Sequence, residues 1–217
     1  QGIEMALAKI PDLIISDIMM PQISGLEFCK RIKKDVSTSH IPVIILTARS
    51  SEEYKIEGLE TGSEDYISKP FSMDVLRLKI KNILKSRQQL IAKYRHEAGL
   101  SAMELSKNHV DRDFLRKAEA IILQNISNPG IDVNFLSANL GLSRMHLYRK
   151  IKGLSEQTPS EFIKTIRFKR AANLLVHSGK NISEIAYEMG FSSPSNFSRS
   201  FSSYYNMSPS EYVAQNS

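Results

Sequence analysis

The chain has 217 residues, enough for two domains, and its 41% hydrophobic and 24% charged residues are ordinary for a soluble globular protein. No apolar run approaches the roughly 18 residues that a membrane-spanning helix requires, so we expect this chain to make no membrane contact. The single cysteine, Cys29, excludes an internal disulfide framework and favours a cytoplasmic location.

The net charge of +6 is unevenly distributed. Residues 1–85 carry 12 basic and 12 acidic side chains, whereas residues 86–112 have a net charge of +2 and residues 113–217 a net charge of +4. A positive excess in the C-terminal half is expected of a part that meets phosphates. Many proteins that bind no nucleic acid carry a similar excess, so charge alone does not establish DNA binding.

Residues 1–85 alternate between short apolar strands and amphipathic helices. Strands are predicted at 13–15, 42–46 and 65–68, and helical segments at 1–8, 26–34, 52–61 and 72–84. A continuous apolar run such as 13–15 is typical of a strand buried on both faces. Strands that alternate with helices predict parallel βα units, and hence an α/β fold for a first domain over residues 1–85.

Three polar residues follow the ends of the three predicted strands: Asp17, Thr47 and Lys69. Ligands bind at this edge of an open α/β sheet, so the three side chains are expected to converge there. A carboxylate can act as a nucleophile and form an aspartyl phosphate, while a hydroxyl and an ammonium can hold phosphoryl oxygens. The alternative is three unrelated loop residues, which is less favoured because all three occupy strand ends.

The same segments resemble the response-regulator receiver domain. The resemblance is carried by PDLIISDIMMPQISGLEF, IPVIILTA and GSEDYISKPF, with the spacing of that family between the three polar residues. It implies that Asp17 is the phosphorylated aspartate, Thr47 the hydroxyl residue that reports the phosphoryl group, and Lys69 the lysine of the site. It further implies that Tyr66 is the switch aromatic and that the Lys69–Pro70 peptide is cis.

The resemblance also implies a Mg²⁺ site formed by Asp17, the carbonyl of Met19 and an acidic pair. In the family that pair ends the first of five strands, ordered 2-1-3-4-5, but this chain supplies only the last three strands. We therefore expect an incomplete acceptor site, Mg²⁺ binding only where the site is completed, and a central strand exposed as an edge. The missing part indicates a truncated chain, a partly disordered amino end, or an edge covered by another copy.

Residues 86–112 are predicted to connect two domains. A helix can continue to about residue 94, and the polar stretch that follows is read as a mobile segment. The five basic residues of the connection fit a solvated linker better than a DNA contact.

Residues 113–217 contain two copies of one helical pattern. Helices are predicted at 113–127, 133–140, 144–152, 158–177, 181–189, 194–204 and from 208 onward. Aligned pairs offset by 49 include Leu136/Ile185, Gly141/Gly190 and Ser143/Ser192, and pairs offset by 50 include Leu147/Phe197, Arg149/Arg199 and Pro159/Pro209.

The turns and caps of the two copies also correspond. Gly141 and Gly190 stand where a helix-turn-helix needs a tight turn with positive φ. Thr158 and Ser208, each followed by Pro and then by Glu three residues on, predict capping boxes. The alternative, a plain helical bundle with accidental similarity, is disfavoured by the number of paired positions.

The helices that follow the two turns differ on their predicted outward faces. The first presents Arg144, Met145, His146, Tyr148, Arg149 and Lys150, and the second presents Ser195, Asn196, Ser198 and Arg199. Arg and Asn are suited to purine edges in the major groove of double-stranded DNA. Two such helices on one chain could enter successive major grooves about 34 Å apart and read two half-sites that need not be palindromic.

This half resembles the AraC/XylS DNA-binding domain over about 105 residues, through KRAANLL, ISEIAYEMGFSSPSNFSRSF and NMSPSEY. The resemblance implies base-facing roles for Met145, Tyr148 and Arg149 in the first recognition helix and for Ser195, Asn196 and Arg199 in the second. It also implies RNA polymerase as a partner. Arg167 and Lys169 are interpreted as solvated charges or phosphate neighbours along the connecting helix.

The leading hypothesis is a transcription regulator controlled by phosphorylation of Asp17, with a histidine kinase or phosphotransfer domain as partner and a homodimer as the active form. A regulator independent of phosphate, whose receiver serves only dimerisation or docking, remains open. A small phosphatase or kinase is disfavoured, because a single carboxylate without a pair of metal ions makes a poor catalytic site. The chain fits an ordinary response regulator and equally the tail of a hybrid sensor, which could be membrane-anchored.

Overall fold

The computed structural model describes residues 1–48, 62–96 and 101–216, without the side chains of residues 95 and 96. The helix predicted at 52–61 lies outside the described residues. The chain divides into two compact units. The first comprises Gln1–Ile91 and Leu105–Phe114, and the second comprises Ala92–Glu104 and Leu115–Ser217.

The first unit is a three-stranded parallel sheet with helices, which confirms the predicted α/β class. Its elements are α1 (Gly2–Lys9), β1 (Ile14–Asp17), α2 (Gly25–Lys34), β2 (Val43–Thr47), β3 (Asp65–Ser68) and α3, which spans Met73–His96 and passes into the second unit at Ala92. The strand order is β1-β2-β3. In register, Ile15 pairs with Ile44, and Ile44 pairs with Asp65.

Helices cover the two faces of this sheet unequally. One face packs against α1 and α2 around Phe28, Cys29 and Ile32, and the other packs against α3 around Ile44 and Ile67. The burial of Cys29 fits a small apolar residue.

The prediction that the first strand is buried on both faces is wrong. Ile15 in β1 is 42% exposed, and β1 pairs with β2 alone among the described residues. An edge strand lacks the neighbouring strand and crossover helix that would cover such a side chain. The expected exposed edge is thus present in this part of the chain.

The connection between the predicted domains contains buried side chains in its described part. After α3, a 3-10 helix forms at Ala102–Leu105. Within the first unit, the buried Asp111 carboxylate accepts hydrogen bonds from Ser39 at 2.7 Å and from Ser106 at 3.2 Å. A fully solvated linker would not have such contacts, and the domain boundaries at 85 and 112 stay a prediction.

The second unit is helical throughout its described part and confirms the predicted helical domain. Its helices are α4 (His109–Gln124), whose first turn and a half belongs to the first unit, and then α5 (Val133–Leu140), α6 (Arg144–Ser155), α7 (Pro159–His177), α8 (Ile182–Glu188), α9 (Pro194–Tyr205) and α10 (Pro209–Asn216). None of the helices in the described ranges has the length and apolar character needed to cross a membrane.

The caps and turns agree with the sequence. Thr158 forms a capping box with Glu161, and the Ser208 hydroxyl and backbone exchange hydrogen bonds with Glu211 in the same way. Gly141 and Gly190 have φ values of 66° and 74°, as the turns require. A further capping box at Asn181 begins α8 and was not predicted, although the sequence already has Glu three residues later.

An aromatic cluster forms the core around α7 and the second helix-turn-helix. Phe197 and Phe201 are fully buried, and their ring centroids lie 5.5 Å apart. Phe201 also meets Phe168 of α7 edge to face, with centroids 6.1 Å apart. These phenylalanines therefore fix the recognition helix α9 to the connecting helix and are not available for stacking on bases.

Candidate functional site

The strand ends of the first unit bring together the three residues predicted there. Asp17 ends β1 and Thr47 ends β2, and Lys69 follows β3 directly. The Lys69 ammonium donates a hydrogen bond to Oδ2 of Asp17. The Lys69 amide donates to the Thr47 carbonyl oxygen at 2.6 Å, so backbone contacts hold the lysine beside β2.

The loop after β1 holds the Asp17 carboxylate in place. The Met19 amide donates to Oδ1 of Asp17 at 3.0 Å, and the Gly25 amide donates to the Ile18 carbonyl at 3.0 Å. A Cβ atom on Gly25 would lie 2.1 Å from the carbonyl oxygen of Asp17, so only glycine allows this approach. Gly25 is a site residue that the sequence analysis missed, although a glycine closing the loop after a predicted strand was a signal for it.

The electrostatics of this edge favour an ionised acceptor. The hydrogen bond from Lys69 is the main cause that lowers the pKa of the Asp17 carboxyl below its ordinary value, and the Met19 amide adds to it. Burial acts in the opposite direction and raises the pKa, but it ranks below these two hydrogen bonds. Asp17 therefore carries the negative charge that a nucleophilic oxygen needs at neutral pH.

The residues predicted to act as a switch lie close to the same edge. Thr47 is buried, and Tyr66 is half-buried and packs against the core beside α2. The Lys69–Pro70 peptide is cis, as the resemblance implied. The roles of Thr47 and Tyr66 as a switch stay a prediction.

The donor set does not fit Mg²⁺ on its own. Mg²⁺ demands near-octahedral oxygen coordination, and this edge offers the Asp17 carboxylate and the Met19 carbonyl. Within the described residues there is no group of three His, Cys, Asp or Glu side chains that could hold a metal ion. Receiver domains typically bind this ion at the phosphorylation site.

The second unit presents two recognition helices built on the same frame. Both α6 and α9 have 12 residues, and their caps Ser143 and Ser193 each accept a hydrogen bond at 3.2 Å from the amide three residues later. The cap of α9 is therefore Ser193, at an offset of 50, and the predicted pairing of Ser143 with Ser192 is wrong for the cap. The inward pairs, Leu147 with Ile151 and Phe197 with Phe201, are completely buried.

Most residues predicted on the outward faces are accessible. In α6, Arg144, Met145 and Tyr148 are exposed, and His146 and Arg149 are half-buried. In α9, the exposed residues are Ser195, Asn196 and Arg199, and Ser198 is half-buried.

Lys150 is a correction to the predicted outward face. Its relative exposure is 0%, because Leu147, Lys150 and Ile151 lie on one inward stripe of α6 at spacings of three and four residues. The residue type suggested solvent exposure, but the helical period determines the position. A phosphate contact by Lys150 is therefore not supported.

The connecting helix supplies two further corrections. Lys169 is buried within the second unit, with its Nζ atom 3.5 Å from the centroid of the Tyr94 ring. Arg167 is half-buried and donates to the Asn128 carbonyl at 2.7 Å, and burial lowers the pKa of its guanidinium. Both side chains stabilise the fold, so neither is a solvated charge.

A sheet edge with an aspartate paired to a lysine, followed by a duplicated helix-turn-helix, is typical of DNA-binding response regulators. Comparisons with known families agree. Residues 1–81 match the response regulator receiver domain, and residues 136–215 match a helix-turn-helix domain. The chain therefore contains one part that matches the receiver-domain family and a second part that matches a helix-turn-helix family.

Individual relatives cover different parts of the chain. "Histidine kinase P4" of Formosa agariphila is 47% identical over 211 residues, which are 97% of this chain and 15% of the relative. The phosphate regulon transcriptional regulatory protein PhoB of Klebsiella pneumoniae is 51% identical over 75 residues, covering 35% of this chain and 33% of the relative. The chain thus spans a third or less of the length of these two relatives.

A solved structure resembles the other half of the chain. A transcriptional regulator with an AraC-type DNA-binding domain from Chromobacterium violaceum is 29% identical, with a TM-score of 0.45. The match covers 49% of this chain and 94% of that one.

Proposed function

We propose that the chain is the output part of a two-component pathway: a sequence-specific DNA-binding transcription regulator controlled by phosphorylation of Asp17. The observation that carries the DNA-binding part is the pair of recognition helices with matched caps, matched buried residues and accessible outward faces. Each helix is suited to one major groove, so one chain reads two half-sites.

The proposed base contacts are the accessible residues of the two outward faces. Arg149 and Arg199 occupy equivalent positions and suit guanine, and Asn196 suits adenine. The remaining proposed DNA contacts are Arg144, Met145, His146, Tyr148, Ser195 and Ser198. The second unit and the connection carry the positive excess of the chain, which supports attraction to phosphates.

The contact by Arg149 has a direct test. Arg149→Ala should weaken specific binding by about 1–3 kcal/mol and relax specificity at one base pair. Lys152→Ala, which removes an exposed charge from the same helix, serves as the control and should weaken all sequences alike. If Arg149→Ala, like Lys152→Ala, lowered the affinity for specific and for random DNA equally, Arg149 would not be a base contact.

The proposed chemistry at Asp17 is acceptance of a phosphoryl group from a histidine kinase or phosphotransfer domain. An oxygen of the ionised Asp17 carboxylate attacks phosphorus, and the P–N bond of the donor phosphohistidine breaks toward the imidazole nitrogen. The Lys69 ammonium, already hydrogen-bonded to the carboxylate, neutralises charge on the phosphoryl oxygens. Phosphorylation then favours the active conformation, in which Thr47 and Tyr66 are drawn toward the phosphoryl group.

A regulator that works without phosphorylation, with the receiver part serving only dimerisation or docking, remains the alternative, because the described residues offer too few ligands for Mg²⁺. Phos-tag electrophoresis with acetyl phosphate should show no labelling of this chain, and should show labelling of a version extended at its amino end by two further strands and an acidic pair. Efficient labelling of the unextended chain would contradict that expectation. Gel shifts of the extended version, with and without acetyl phosphate, separate phosphate control from the phosphate-independent alternative. Only phosphate control predicts that phosphorylation tightens DNA binding, and the Asp17→Ala control should then show no such change.

The similarity to a histidine kinase over 97% of this chain and 15% of that relative supports a hybrid sensor as the whole protein. In such a protein, kinase and receiver belong to one polypeptide. Homodimerisation and contact with RNA polymerase belong to the same proposal and rest on family resemblance. Mass photometry of the extended version, with and without acetyl phosphate, tests whether labelling increases the dimer fraction.

A further inference from the structure

The two recognition helices differ at specific positions on an otherwise shared frame. At an offset of 50 residues, Arg149 corresponds to Arg199, and the buried Leu147 corresponds to Phe197. Among the outward positions that differ, two change from a largely apolar side chain to a serine hydroxyl. Met145 and Tyr148 of α6 correspond to Ser195 and Ser198 of α9.

The apolar pair of α6 is accessible. Met145 is 57% exposed and Tyr148 is 47% exposed, and the two lie three residues apart on one side of the helix. Together with Val133 and Pro159 they border an open depression of about 310 Å³. The apolar surface therefore continues beyond the recognition helix itself, and the described part of the chain leaves it open to solvent.

We propose that the two half-sites are read by different chemistry: α6 recognises thymine methyl groups through Met145 and Tyr148, whereas α9 recognises polar base edges. The C5-methyl of thymine is the apolar group that the major groove presents. Ser195, Ser198 and Asn196 instead offer hydroxyl and amide groups, which pair with polar edges. This inference rests on the proposed DNA-binding function.

The difference in chemistry between the two outward faces does not come from a different orientation of the two helices. The caps, the helix lengths and the buried pairs Leu147/Phe197 and Ile151/Phe201 correspond in the two copies, so Met145 and Tyr148 occupy the same helical positions as Ser195 and Ser198. The contrast between an apolar pair and a hydroxyl pair therefore lies in the side chains and not in the orientation of the helix. The bound DNA is expected to be asymmetric, with thymines concentrated in the α6 half-site.

The test replaces thymine by uracil, which removes the methyl group and keeps the base pair. Sites are first selected from random DNA with the whole chain. Each half-site is then assigned to its helix by the position at which Arg149→Ala or Arg199→Ala relaxes specificity. Uracil in the α6 half-site should weaken binding about fourfold for each contacted methyl, and uracil in the α9 half-site by less than twofold.

Matched variants separate the apolar contact from other effects. Met145→Ser with Tyr148→Ser gives α6 the hydroxyls of α9 and should abolish the dependence on thymine methyls. Met145→Leu with Tyr148→Phe keeps the apolar surface and should retain that dependence. The melting temperature of the free protein should stay the same in both double variants, because the positions are exposed.

The outcomes distinguish this inference from the proposed function. An α6 half-site without thymine, equal uracil effects in both half-sites, or retained methyl dependence in the serine variant would overturn the inference and leave DNA reading intact. Failure to enrich any sequence would overturn the proposed function and the inference with it.

Discussion

The two turn glycines provide a matched pair for which the structure predicts unequal costs of substitution. Gly141 and Gly190 have similar positive φ values, 66° and 74°, but different surroundings. A Cβ atom on Gly141 would meet nothing within 4 Å. A Cβ atom on Gly190 would lie 2.8 Å from the Ile126 carbonyl oxygen and 3.1 Å from Nη2 of Arg167.

The magnitudes follow from these distances. Gly141→Ala places Cβ in the left-handed region and should lower the free energy of unfolding of the second unit by about 1–2 kcal/mol. Gly190→Ala has the same backbone cost and in addition forces backbone atoms apart, which adds about 1–3 kcal/mol. It should also disturb the hydrogen bond from Arg167 to the Asn128 carbonyl, which is 2.7 Å long.

Asparagine separates the two causes, because it tolerates the left-handed region but still carries a Cβ atom. Gly141→Asn should leave the free energy of unfolding of the second unit almost unchanged, whereas Gly190→Asn should still lower it. The measurement is the opening free energy from amide hydrogen exchange of peptides covering the two turns, since a chain with two units need not unfold in one transition. Equal losses for the two alanine variants, or a larger loss at Gly141, would refute the clash as the cause.

Three further outcomes are expected. Lys150→Met should leave the salt dependence of DNA binding unchanged, because Lys150 is buried, whereas Lys152→Ala should reduce the slope; a slope lowered by both would contradict this. Lys69→Met should raise the pKa of Asp17 toward its ordinary value in a carboxyl NMR titration, and no change would exclude Lys69 as the main cause. Gly25→Ala should abolish Phos-tag labelling of the amino-extended version, and full labelling would show that the loop relaxes around the Cβ atom.

The local features of the fold were predictable because they depend on neighbouring residues. Hydrophobic period, caps and glycine turns predicted the described helices, and α4 begins at His109, four residues earlier than predicted. The convergence of Asp17, Thr47 and Lys69 was predictable as well, since parallel strands bring the residues at their carboxyl ends to one edge.

The features that sequence reasoning missed depend on contacts between distant segments. The exposure of Ile15 follows from the edge position of β1, and the bond between Ser39 and Asp111 joins residues 72 positions apart. Gly25 is required by the approach of its own Cα to the Asp17 carbonyl; the sequence shows a glycine in the loop after β1 but does not show that approach. The burial of Lys150 could have been predicted, because its spacing from Leu147 and Ile151 places it on the inward stripe of α6. The charge of the residue led instead to the prediction that it is exposed.

The central claim is that one chain reads two half-sites on one face of DNA, and a spacing experiment tests it most directly. The affinity of the chain is measured for a selected site and for the same site with five base pairs inserted between the half-sites. Half a helical turn places the half-sites on opposite faces, so the specific affinity should fall by at least about 100-fold, toward the non-specific level. An affinity unchanged by the insertion would contradict the claim.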